Sequence, residues 1–307
     1  MRKMINKNKD ILSKQLLNIF IPTYRRSNKL NRCISSLCKE IDEMNDSFNI
    51  TVHISNNDKN DLSVKKLISS FNKDYLIYHE NNHNIGIDRN HEKVYEYCDS
   101  DYVLCLADDD MILPGCLKYL LSIIQKEDDV LFYILNSYLI DNKTNKNAVY
   151  KINKEILYLN TIQSIRHFVF DKPKALLPLL PYYGGIVINM KMIREKYSRK
   201  DCYIGTFHYY IAILWDALLT LKDNKKIAII SKPTIFIGMD NDKTWFSYSN
   251  EVYNNLNNVY KYLPFSTSMR KDIMLVNKLN NFAGGGIIKR VLLIAIKIKS
   301  YFWKIDY

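Results

Sequence analysis

Residues 101–115 read Asp-Tyr-Val-Leu-Cys-Leu-Ala-Asp-Asp-Asp-Met-Ile-Leu-Pro-Gly. A strand-like apolar run ends in three consecutive carboxylates, Asp108, Asp109 and Asp110, and Pro114 then signals a turn and a helix. Three adjacent like charges repel, so a fold that keeps them together calls for a cation beside them. A hard divalent ion, Mn2+ or Mg2+, suits carboxylate oxygens and keeps a phosphate as a further ligand. A solvated acidic turn is the plain alternative. The position favours a site, because ligands gather at strand carboxyl ends in open α/β sheets.

Upstream of the triplet the same rhythm repeats. Residues 16–21 (LLNIFI) read as a buried strand stopped by Pro22, ITVHIS (50–55) as a second strand followed by the polar turn NNDKND, and 75–79 as a short third. Between them Leu30, Ile34, Leu37, Ile41 and Met44 recur at helical spacing, which predicts a helix over 28–44, and further helices fall at 62–72, 88–98 and after Pro114. Strand and helix alternate across short polar turns, which argues for an α/β fold with a largely parallel sheet. Downstream the expectation is a hairpin around DNKTNKN within 130–160, helical pattern beyond 160, the punctuation PYYGG at 181–185, a strand pair near 227–238 and helices over 248–280. That divides the chain into an extension (1–15), one domain (16–240) whose halves meet near 125, and a helical C-terminal region (241–307).

Composition sets outer bounds. With 307 residues, 47% hydrophobic and 25% charged, the chain can bury a real core and long disorder is excluded. Its 44 Lys and Arg against 32 Asp and Glu give a net charge of +12, which favours an anionic partner: nucleic acid, a phosphorylated small molecule or an acidic membrane. The six cysteines form no CxxC pair, so buried reduced thiols are expected. His53, His79, His83, His91 and His167 lack zinc spacing, and no Gly-x-Gly-x-x-Gly or GxxxxGK[ST] occurs, which argues against dinucleotide and P-loop sites. The start, MRKMINKNKD, has no apolar core, so no secretory signal is expected there, and no apolar stretch is long enough to predict a spanning helix.

The tail stands apart. After Gly284-Gly285-Gly286 comes IIKRVLLIAIKIKSYFWKIDY, in which Lys289, Arg290, Lys297 and Lys304 share one helical arc, Lys299 flanks it, and nearly everything else is apolar. A helix over 287–304 lying in the headgroup plane of an anionic membrane fits this pattern, with Tyr301, Phe302 and Trp303 as interfacial anchors; an amphipathic helix packed on the domain is the alternative.

Four features occur in order: Pro22-Thr23-Tyr24-Arg25 after the first strand, Ser55-Asn56-Asn57-Asp58 after the second, Asn84-Ile85-Gly86-Ile87-Asp88-Arg89-Asn90, and Ala107-Asp108-Asp109-Asp110 with Pro114. This order resembles the family 2 glycosyltransferases of the GT-A fold, particularly the abequosyltransferase-like bacterial branch. The resemblance covers roughly 16–120 well, extends weakly through Gly184-Gly185 and the 204–220 helix, and leaves out everything beyond 240. It implies a GT-A fold, with a nucleotide-binding half over 16–125, an acceptor half over 126–240 and a helical, amphipathic C-terminal extension.

The resemblance also implies roles. Pro22, Thr23, Tyr24 and Arg25 line the nucleotide, with Tyr24 against the base. Asn56 stands where the family has an Asp accepting a bond from the base, with Asp58 two residues on. Arg89 supports the donor, Asp108 lies near the ribose, Asp109 is the metal ligand and Asp110 stands beside it. The expected cofactor is Mn2+ or Mg2+. The general base falls to Asp216 or His208, both in GTFHYYIAILWDALL. Tyr183, Gly184 and Gly185 are candidates for the acceptor floor, and Trp245 (with Lys243) for closing over the sugar.

The expected activity is inverting, metal-dependent transfer of a sugar from a nucleotide-sugar, UDP-linked by preference, to a glycan or lipid-linked glycan at the cytoplasmic face of an anionic membrane, with no nucleic acid partner. Two rivals are a sugar-phosphate nucleotidyltransferase, which needs a glycine-rich loop where PTYRRSN has none, and a basic nucleic-acid-binding protein, which lacks a basic face outside the tail.

Overall fold

The computed structural model describes residues 17–44, 49–124, 126–127, 129–141, 145–171, 179, 183–196, 198, 200–221, 225–238, 249–281, 286–303 and 305. Its centre is a ten-stranded mixed sheet. Strands β1 (Leu17–Thr23), β2 (Ile50–Asn56), β3 (Leu76–Glu80) and β4 (Tyr102–Cys105) form a parallel unit in the order β3-β2-β1-β4. Then β5 (Met111–Ile112), β6 (Val130–Asp141), β7 (Asn145–Ala148), β8 (Ile156–Asn160), β9 (Ile186–Asn189) and β10 (Lys226–Phe236) extend it past β4 in the order β9-β6-β10-β5. Strand β9 is antiparallel to both β4 and β6, while β6 and β10 run parallel.

The sequence expectations hold for the parallel unit with small shifts. Pro22 does not stop β1: it pairs with Ser55 and the strand runs to Thr23. Its missing N–H faces the β4 side, where the ladder ends at Phe20, so no bond is lost. The helix expected over 88–98 is two short helices, α3 (Ile87–Glu92) and α4 (Val94–Tyr97). The strand pair near 227–238 is the single strand β10, which pairs with both β6 and β8.

Helices α1 (Ser27–Asp42), α2 (Leu62–Phe71) and α5 (Cys116–Ile124) bury their apolar stripes on one face of the sheet, over Ile19, Ile21 and Leu104. The other face carries α6 (Thr161–Arg166), α7 (Met190–Lys196), α8 (Tyr209–Thr220), α9 (Ser249–Tyr262) and α10 (Thr267–Asn281), with Trp215 among Phe132 and Phe168. Burial on both faces is why the strands read as unbroken apolar runs. Helix α8 is itself apolar nearly all round and is buried from Ile211 to Leu219.

Helix α11 (Gly286–Lys299) rests on the domain through Ile296 and through ion pairs from Lys297 to Asp171 and Lys299 to Asp272. The basic arc expected at headgroups is therefore partly spent on the protein. Ile287, Val291, Ile294 and Ile298 fall within about 60° of one another at 100° per residue, opposite Ile296, and all four are exposed. A surface helix normally turns such a stripe inward. Lys304 lies outside the described residues. Among the described residues no helix is long and apolar enough to cross a membrane.

Candidate active site

Central strand β1 has β2 on one side and β4 on the other, and the turns that follow all three meet at one end of the sheet. Thr23, the last residue of β1, donates its hydroxyl to Asp108 Oδ2 at 2.8 Å. Arg25 takes a left-handed backbone, φ 54°, and its side chain reaches Asp58 after β2, Nε to Oδ2 at 2.8 Å. Arg26 turns the opposite way, its Nη1 2.7 Å from Asp108 Oδ1 and its Nη2 hydrogen-bonded to Asp109. Two successive arginines thus tie the turns of both neighbouring strands to β1. Arg26 is the cation that the acidic triplet calls for. Sequence reading passed over it, because nothing local says which of Arg25 and Arg26 faces the triplet.

The three aspartates differ sharply. Asp108 is buried and fixed by Thr23 and Arg26; burial raises its carboxyl to about 6, against the opposing pull of Arg26. Asp110 is buried too and accepts the Gly238 amide at 3.1 Å; burial first, then the neighbouring charge of Asp109, lifts it to about 8. Asp109 keeps 16% of its side chain exposed and alone offers solvent a carboxylate face. Among the described residues no three His, Cys, Asp or Glu side chains are arranged to enclose a metal. The donor set still fits a hard divalent cation held by Asp109 and completed by ligand phosphates and water, as Mg2+ commonly is. Asp110, expected beside the metal, points instead into the protein toward Gly184.

Gly184 and Gly185 were expected on an acceptor floor, but both are buried in the framework. A Cβ on Gly184 would lie 1.6 Å from Asp110 Oδ2, so only glycine leaves room for that carboxylate. Gly185, at φ 93°, bonds Cys105 and Leu135 and so links β4 to β6. The Tyr183 ring stacks on His91 at 4.3 Å with Tyr210 at its edge, an internal aromatic cluster and not a free platform for sugar. Trp245 and Lys243 lie outside the described residues.

At the turn after β1, Tyr24 is 37% exposed and Arg25 lies over its ring at 5.2 Å. Asn56 donates to the Asp58 carbonyl at 2.8 Å and to the Tyr78 hydroxyl at 3.0 Å, while its Oδ1 is enclosed without a partner. Arg89 bonds Glu92 at 2.7 Å and Asp201 at 3.3 Å and lines an open cleft of about 520 Å³ with Ile85, Glu92, Lys93 and Glu96.

The two candidate bases are both buried on the same helix, His208 at its start and Asp216 within it. His208 occupies the position before the first turn of α8, and its carbonyl accepts the amides of Ile211 and Ala212. Asp88, in α3, accepts the backbone N–H groups of Phe207 at 2.8 Å and Tyr209 at 3.1 Å, which pins that helix start to the loop after β3. Asp216 lies two turns further along, has no exposed side-chain surface, and is held by Tyr203 at 3.0 Å and Lys200 at 2.9 Å. Both Asp216 oxygens are engaged, Oδ1 by Tyr203 and Lys200 and Oδ2 by Lys200.

Comparisons with known proteins agree with this architecture. An abequosyltransferase, RfbV of Salmonella typhimurium, is 25% identical over 240 residues, 74% of this chain and 68% of its own length. Among solved structures, S. aureus TarS (residues 1–349) in complex with UDP-GlcNAc superposes with a TM-score of 0.61 at 11% identity, covering 93% of this chain and 81% of that one. A mannosyltransferase of Pyrobaculum calidifontis, in complex with GDP-Man and Mn2+, gives 0.53 at 8% identity, over 94% and 81%. At such identities the structural likenesses establish the fold. The model of glycosyl transferase family 2 matches residues 18–177, more than half of the sequence, and takes in β1, the arginine pair and the acidic triplet: the chain belongs to that family and is a glycosyltransferase.

Proposed function

We propose that the protein is an inverting, metal-dependent glycosyltransferase that moves a sugar from a nucleotide-sugar to a hydroxyl of a lipid-linked surface glycan. The observation that carries this reading is the joining of Thr23, Arg26, Asp108 and Asp109 at the carboxyl ends of β1 and β4. The UDP-GlcNAc and the GDP-Man with Mn2+ bound by the two structural neighbours support a nucleotide-sugar and a divalent ion here. Residues 16–125 then form the donor half and 126–240 the acceptor half of one domain.

The Tyr24 ring and the Arg25 guanidinium are the accessible groups at the base end, with Asp58 behind them. Asp108 and Thr23 hold the ribose end in register. A cation on Asp109 supplies neutralisation of charge on the departing diphosphate. His208, buried at the start of α8, takes the proton of the acceptor hydroxyl as its oxygen bonds the anomeric carbon and the sugar–phosphate bond breaks, the electron pair leaving with the diphosphate. Asp109→Ala should abolish transfer while the protein stays folded; wild-type turnover in that variant would contradict the reading.

Helix α11 supports the reading of a lipid-linked acceptor. Its outward stripe of Ile287, Val291, Ile294 and Ile298, the exposed Tyr301 and Phe302 beyond it, exposed Arg290 and the net charge of +12 together suit an anionic bilayer surface, at the cytoplasmic face where nucleotide-sugars are found. Family membership selects sugar transfer over the nucleotidyltransferase and nucleic-acid readings of the same charge pattern.

A further inference from the structure

We propose that Arg26 is a ligand of the donor diphosphate, parked on Asp108 and Asp109 until the donor and its cation arrive. This rests on the reading of the site as a nucleotide-sugar site. The guanidinium bridges two carboxylates, and the one it shares with solvent is Asp109, the single accessible carboxylate of the triplet. Asp108 has its second oxygen fixed by Thr23, so it holds its place whatever Arg26 does. Asp109 is held on Oδ2 by Arg26 and is partly open to solvent, so that bond is the one that can exchange.

A guanidinium and a divalent ion are both cations, so an ion on the Asp109 carboxylate repels the guanidinium from Oδ2, the oxygen that Arg26 holds. When a cation takes that carboxylate, the freed Nη2 of Arg26 needs a new anion, and a diphosphate is one that a planar guanidinium binds in a forked manner. The Nη1 bond to Asp108 at 2.7 Å serves as the pivot. Arg25 adopts φ 54° although it is not glycine, a cost that persists where the surroundings demand it, and the effect of that turn is to aim Arg26 at the triplet.

Arg26 therefore opposes the metal when no nucleotide is present and favours it when nucleotide is present. Metal and nucleotide become positively coupled through one side chain. The test measures Mn2+ on the protein by water-proton relaxation, for wild type, Arg26→Gln and Arg26→Lys, with Mn2+ alone and with Mn2+ plus an equimolar mixture of UDP, GDP, CDP and TDP. Thermal unfolding of each variant first establishes that it is folded. With Mn2+ alone, Arg26→Gln should bind about tenfold more tightly than wild type. The nucleotide mixture should strengthen Mn2+ binding in wild type and do so several-fold less in Arg26→Gln. Arg26→Lys keeps the charge but loses the fork, so it should leave Mn2+ binding alone weak and still lose coupling; it carries the test if the glutamine variant does not fold. Equal Mn2+ affinity in wild type and the variants, with nucleotide coupling intact in all, overturns the role of Arg26 while the donor site stands. Nucleotides without effect on wild type overturn the donor site itself.

Discussion

The Asp88 carboxylate accepts the backbone amide of Phe207 at 2.8 Å, joining the helix after β3 to the start of α8 across 119 residues of sequence. Phe207 has φ 63°, a left-handed backbone that a bulky residue adopts only under constraint, and it immediately precedes His208. Asp88 thus does for α8 what a helix cap does locally, but from a different element. Replacing Asp88 by Ala leaves buried amides without an acceptor and should cost about 1–3 kcal/mol of stability. It should also misplace His208 and lower kcat/KM by roughly 100-fold. Urea unfolding and steady-state transfer assays on the same preparation check both.

Gly184→Ala should be among the most damaging single substitutions in the chain. The added methyl would lie 1.6 Å from Asp110 Oδ2, and Asp110 cannot retreat without losing the Gly238 amide. Overpacking of this kind costs typically about 1–3 kcal/mol or more. The expected outcome is a lowered melting temperature together with loss of nucleotide affinity. Asp110→Ala combined with Gly184→Ala should recover part of the stability, because the clash is then gone.

Burial alone lowers the His91 imidazole to about 3, where it stacks on Tyr183. The unfolded chain protonates the same group near pH 6.5, so the unfolded state binds the extra proton as pH falls. The contribution to stability is complete above pH ~6.5 and is lost as pH falls toward about 3. His91→Phe keeps the stack and removes the titration. Between about pH 6.5 and 4 its stability should fall less steeply than that of wild type by about 1.4 kcal/mol per pH unit. Comparing only the two proteins cancels the opposite slopes from Asp108 and Asp110, whose raised carboxyls favour the fold at low pH. Chemical denaturation across that range reads the difference.

The parallel unit was legible in the sequence because its signals are local. Strand runs such as ITVHIS, helical spacing from Leu30 to Ile41 and polar turns between them need no knowledge of distant residues. The acidic triplet was legible for the same reason, as an abrupt switch from apolar to charged at a strand end. What escaped reading depends on partners far away in the chain. Strand β9 inserts antiparallel between β4 and β6, an arrangement that four apolar residues cannot announce. Gly184 looked like a ligand-facing glycine until Asp110 was found against it. Asp216 and His208 have equal claims in the sequence, and what separates them comes from the fold: Tyr203 and Lys200 engage Asp216, while His208 stands at the start of α8. The basic arc of the tail is a local pattern, but the described helix ends at Lys299, short of Lys304, and the ion pair from Lys297 to Asp171 is invisible in the sequence.

Changing Ile287, Val291, Ile294 and Ile298 together to Ser should weaken co-sedimentation with anionic lipid vesicles by at least about tenfold, since each buried side chain contributes on the order of 1 kcal/mol or more. The melting temperature should hardly move, because the four residues already face solvent. Undiminished vesicle binding would remove the membrane-facing assignment and leave the stripe for another partner.

The account turns on Asp109 and a divalent cation jointly holding a donor diphosphate. Isothermal calorimetry of the wild-type protein with UDP, GDP, CDP and TDP, each with and without Mn2+, measures this directly. At least one nucleotide should bind, and Mn2+ should tighten it by about tenfold or more, with that gain lost in Asp109→Ala. Four nucleotides indifferent to Mn2+ would contradict the account.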